Sequence, residues 1–137
     1  MRQILCDNDM YLLELDNNGL LIWTTRYYAK DEIKGMEDVN RLIEAINILF
    51  NQDPDKYFSV LVDVRPVYDQ VFYMPRPVRQ KFSKLMKNPQ IKKIAILGAN
   101  THLAILVETL SQFTEMWSKV RIFRDEDKAF GWLKDEK

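Results

Sequence analysis

The residues able to do chemistry are few and lie in two short stretches. Asp63 closes an apolar run, Phe58-Ser59-Val60-Leu61-Val62-Asp63-Val64, and Arg65-Pro66-Val67-Tyr68-Asp69-Gln70 follows at once. The second stretch, Gly98-Ala99-Asn100-Thr101-His102, opens an apolar helical pattern. A carboxylate at the end of a buried strand lies where open α/β sheets present loops to ligands. It can bind such a ligand, or accept hydrogen bonds from the N–H groups of its own loop. His102 sits where free backbone N–H groups, a helix dipole and a titratable ring suit a small anion. The plainer reading is a helix capped by Asn100 or Thr101 whose first turn includes a histidine. Asp63 and His102 together would be the working pair of a hydrolase or transferase.

Other chemistry is scarce. The chain has one histidine and one cysteine, and Cys6 lies far in sequence from His102, which leaves little for nucleophilic catalysis. No ligands stand at zinc-binding spacing. Gly19, Gly35, Gly98 and Gly131 form neither a dinucleotide nor a P-loop motif. No catalytic residue, metal or cofactor is therefore expected, and the protein reads as a non-enzyme. Twenty basic residues balance twenty acidic ones, so no overall field recruits nucleic acid or a membrane surface. A single cysteine allows no intrachain disulfide and fits a reducing cytoplasm. The amino terminus lacks the pattern of a signal peptide, and no run approaches the ~18 apolar residues of a membrane span. The expectation is one cytoplasmic domain over residues 1–137 with no integral membrane segment.

The positioning elements follow from periodicity. Tyr11–Asp16 and Leu20–Arg26 flank Asn17-Asn18-Gly19, which predicts a hairpin with a type I′ turn. Met36, Val39, Leu42, Ile43, Ile46, Leu49 and Phe50 recur at steps of three and four, with Asp38 among the polar residues between them; this predicts an amphipathic helix. Phe58–Val64 is apolar on both alternating faces, as in a central strand covered on two sides. Pro77 starts a second helix with stripe Val78, Phe82, Leu85 and Met86, Ile91–Gly98 is another buried strand, and a helix from Asn100 or Thr101 runs to about Ser118. Val120–Phe123 is a short strand, and Asp125 caps a last helix. The order is β-β-α-β-α-β-α-β-α. Helical crossovers make the later strands parallel, so the sheet is mixed α/β with one antiparallel hairpin.

This order, together with Val60–Val64, Ile91–Gly98 and the closing Val120-Arg121-Ile122-Phe123-Arg124-Asp125 through Ala129, Trp132 and Leu133, resembles the STAS domain. The likeness is closest to its SpoIIAA-like branch of small stand-alone proteins and spans roughly Met10–Leu133. The resemblance implies a STAS-like fold and a regulatory module that binds another protein. Phosphoswitch members of the family carry a serine at the start of the helix after the Asp-bearing strand. Here no Ser or Thr occurs between Val64 and Phe82, so the resemblance does not carry that switch over.

The expected working surface comprises Asp63, Arg65, Tyr68, Arg76, Arg79, Asn100, Thr101 and His102. Residues 65–93 hold eight basic residues and only Asp69 as an acid, a segment that an acidic partner, a phospholipid headgroup or nucleic acid could use, or simply a solvated face. A second function is a carrier of a small apolar or amphipathic ligand, because Phe72, Tyr73 and Met74 follow the Asp63 loop. The helix Leu103–Trp117 is too apolar for one stripe, so it is either buried on two sides within the monomer or meets a second copy, and the homodimer is the favoured expectation.

Overall fold

The computed structural model describes residues 2–70, 74–112 and 119–135 of the chain. Six strands form one sheet in sequential order: β1 (Gln3–Asp7), β2 (Tyr11–Leu15), β3 (Leu20–Thr25), β4 (Phe58–Asp63), β5 (Ile91–Leu97) and β6 (Val120–Phe123). β1–β2–β3 are antiparallel; β3 through β6 are parallel. The helices are α1 (Glu32–Gln52), α2 (Arg76–Met86), α3 (Thr101–Gln112) and α4 (Glu126–Lys134). Because the parallel strands advance in one direction and crossovers share one hand, α1, α2 and α3 all fall on one face. α4 follows the last strand and covers the other. β4 is thus central and covered on both sides, as its apolar pattern predicts, with Phe58, Val60 and Val62 in the larger core and Leu61 against α4.

α1 buries Val39, Leu42, Ile46 and Phe50, at about 1.5–3 kcal/mol each as an upper figure. Asp31 caps it by accepting from the Ile33 N–H at 2.9 Å. Its carboxyl end is tied by Gln90, whose amide donates to the carbonyls of Phe50, Asp53 and Lys56.

Several local expectations change. β1 was not expected, and it brings Asn8 against α1, donating to the Asp38 carbonyl at 3.2 Å. Asp38, expected on the polar face, is accordingly 1% exposed, with one carboxylate oxygen held by Lys34 at 3.1 Å. The hairpin turn is not type I′: Gly19 alone has positive φ, at 81°. The Asp16 carboxylate accepts from the N–H groups of Asn18 and Leu20, holding a type I turn that Gly19 completes as a bulge. α2 begins one residue before Pro77, at Arg76. Lys93, counted with the basic face, is 6% exposed and donates to the α4 carbonyl ends of Trp132 and Asp135. Of the expected helix to Ser118, residues 113–118 lie outside the described residues.

Candidate functional site

The carboxyl ends of the parallel strands form a rim built mostly by internal bonds. Asp63 accepts from the Arg65 backbone N–H and Nε at 3.0 Å each, and from Nη2 at 2.8 Å. Arg65 also reaches Glu126, at 3.5 Å. The carboxylate raises the guanidinium pKa, chiefly by hydrogen bonding. Asn100 has a double role: its oxygen caps α3 by accepting from Leu103 N–H at 2.9 Å, and its amide donates to the carbonyls of Tyr68 and Gln70. Gln70 in turn accepts from Tyr28 N–H at 3.3 Å. One amide therefore fixes the segment after β4 to the start of α3.

The eight expected site residues do not form one cluster. Asp63, Arg65 and Asn100 are engaged in the rim. Tyr68 is 55% exposed, and Thr101 and His102 are exposed on the first turn of α3. Arg76 is exposed at the start of α2, and Arg79 one turn on lies at the edge of a cavity on the opposite face of β4 from Asp63. Among the described residues no three His, Cys, Asp or Glu side chains gather as around a metal ion.

That cavity, of about 180 Å³, is lined by residues from elements that the sequence reading did not bring together. Val62 and Ile96 of the sheet floor it, Phe82 and Met86 of α2 form one wall, and Leu103 and Val107 of α3 form the other. α2 packs on α1, and the cavity lies between α2 and α3 over the sheet. Arg79 and Ser83, both exposed on α2, mark where it meets the surface. Met74, from the loop singled out for a carrier, also lines it; Phe72 and Tyr73 lie outside the described residues. Trp23, Tyr11 and Phe82 pack edge and face at one end, with ring centroids 5.0–5.9 Å apart. The signal in the sequence was the narrow stripe of α2, too slim to cover its share of the sheet.

Two polar atoms in this wall, the Tyr11 hydroxyl and Trp23 Nε1, are buried with no hydrogen-bond partner among the described residues. Such groups cost about 1–3 kcal/mol each. Burial, with the Asp38 charge adding, pushes the Tyr11 hydroxyl well above its usual range, and burial lifts Tyr28 to about 12. For both, the folded value exceeds the unfolded one. Their contribution is complete below pH ~10 and is lost as pH rises from there toward the folded values. The unfolding free energy should then fall by up to about 1.4 kcal/mol per pH unit for a fully protected tyrosine. Urea titrations at pH 9, 10 and 11 should give a shallower fall for Tyr11→Phe than for wild type. Lys119, depressed by burial, acts in the opposite direction, and the comparison with wild type cancels it. Equal slopes would show that Tyr11 is not protected.

Fold and cavity define a class: a STAS-like α/β domain with an apolar site between its second and third helices. The chain belongs to the SpoIIAA-like family, whose family model matches residues 26–134, from just past β3 to the end of α4. Comparisons with curated proteins and with solved structures return no match. The matched span leaves the three-stranded antiparallel part outside it. No described helix is long and apolar enough to cross a membrane. On α3, expected to carry a homodimer interface, Ile105 is 57% exposed, and residues 113–117 of that expectation lie outside the described residues.

Proposed function

We propose that this protein is a non-catalytic binding module that takes a small amphipathic molecule in the cavity between α2, α3 and the sheet. The observation that carries this reading is the cavity itself: about 180 Å³, walled by aliphatic and aromatic side chains, reaching the surface at Arg79 and Ser83. A core cavity of about 150 Å³ takes benzene, so this one suits a ligand segment of similar or slightly larger size. The two side-chain hydrogen bonds from Arg65 to Asp63 support a non-catalytic role for that carboxylate. Isothermal titration with neutral 1-octanol should show one saturable site in wild type. Val107→Trp, which fills the cavity, should weaken binding at least tenfold while keeping the far-UV spectrum and a cooperative melt. Absence of a saturable site, or equal binding by the filled variant, would reject the reading.

A regulatory module that binds an acidic protein through α2 is the second reading. The cations Arg76, Arg79, Lys81, Lys84 and Lys87 favour it, since none is ion-paired to a carboxylate among the described residues. Native mass spectrometry of freshly purified protein separates the two: retained small-molecule mass supports the cavity, a co-purified acidic protein the helix.

A further inference from the structure

We infer that the occupant of this cavity is a free medium-chain carboxylate, its hydrocarbon between α2 and α3 and its anionic end held at the mouth by Arg79. The inference rests on the cavity reading above and adds the chemistry of the ligand's polar end. Arg79 is the one cation among the described residues lining the cavity, and it is exposed at the rim with no carboxylate partner among them. Its planar fork of N–H donors matches a carboxylate in a two-point contact. Ser83 lies four residues further along α2, hence on the same helix face, and also lines the cavity, so its hydroxyl can donate to the same head group.

The field around the mouth has the same sign. α2 has no acidic residue in its first turn, and no side chain caps its amino end at Pro75. The positive end of the helix dipole therefore stands beside Arg76 and Arg79 with no acidic side chain in its own first turn. A neutral or cationic head group would leave that field unanswered; an anionic one matches it. The apolar interior sets the rest of the molecule. About 180 Å³ holds a hydrocarbon segment on the order of six to eight carbons, which points to a medium chain rather than a short acid. The unbranched tail passes between Phe82 and Leu103 without needing a polar contact.

Calorimetric titration of the full chain with octanoate, 1-octanol and octylammonium at low salt tests this. Octanoate should bind at least tenfold more tightly than octanol, and octylammonium more weakly than either. Arg79→Gln should remove the octanoate advantage and leave octanol unchanged, and added salt should erode the same advantage. Equal affinity of octanoate and octanol for wild type, or an equal loss of both in Arg79→Gln, would overturn the assignment of the anionic end while leaving the cavity reading in place. No saturable binding of any of the three would sink both. Binding to phosphatidylglycerol vesicles without binding of free octanoate would assign the basic mouth to a membrane surface and overturn the inference.

Discussion

Ile46→Asp is expected to abolish the cooperative fold. Ile46 is 3% exposed and lies on the α1 face shared by Val39, Leu42 and Phe50. The substitution removes an aliphatic side chain, at about 1.5–3 kcal/mol, and puts a carboxylate among the apolar side chains of the larger core. An unpaired buried charge costs several kcal/mol more. The sum approaches the roughly 5–15 kcal/mol that holds an ordinary domain together. Ile46→Val, which keeps the packing nearly whole, should cost only about 0.5–1.5 kcal/mol. Circular dichroism with thermal melts of both variants gives the answer: a cooperative Ile46→Asp transition within 1 kcal/mol of wild type would mean this face of α1 is not core.

Gly98→Ala should be the most damaging single-methyl change at the rim. Gly98 has φ +84°, a region that costs a side-chain-bearing residue about 1–2 kcal/mol. A Cβ there would fall 3.3 Å from Arg65 Cβ and closer still to Cγ, the root of the side chain rather than its mobile end. Arg65 must move, and its paired bonds to Asp63 move with it. The expected loss is about 2–4 kcal/mol, read as the shift of the urea midpoint at unchanged slope. Arg65→Ala relieves the clash, so Gly98→Ala placed on that background should cost distinctly less. Additive costs would show that the contact does not cause the loss.

Much of the fold was legible because apolar spacing is a local property of the chain. Ile46 and its neighbours stand at helical steps whatever they touch, and the doubly apolar Phe58–Val64 run suits only a strand covered on both sides. Crossover length and handedness then fix which strands are parallel. The family resemblance, read from strands at Val60–Val64, Ile91–Gly98 and Val120–Phe123, agrees with the match over residues 26–134. Burial of individual charges was not legible. Asp38 falls in a polar slot of the α1 pattern, but β1 and Asn8 close over it. Lys93 was counted with the basic segment, but α4 places its carbonyl ends within reach.

The candidate site divides along the same line. Residue types and their order established the α/β class, the strand carrying Asp63, a cap at Asn100 or Thr101 and the cationic character of α2. Each depends on neighbours a few positions away. The cavity depends on how far apart two helices stand over one sheet, and residues from β3, β4, β5, α2 and α3 meet there from distant parts of the chain. Packing also sent Asp63 and Arg79 to opposite faces of β4, because side chains alternate along a strand while helices choose a side. Spacing along a chain records which face a residue occupies on its own element; only the assembled elements decide which faces come together and where space is left between them.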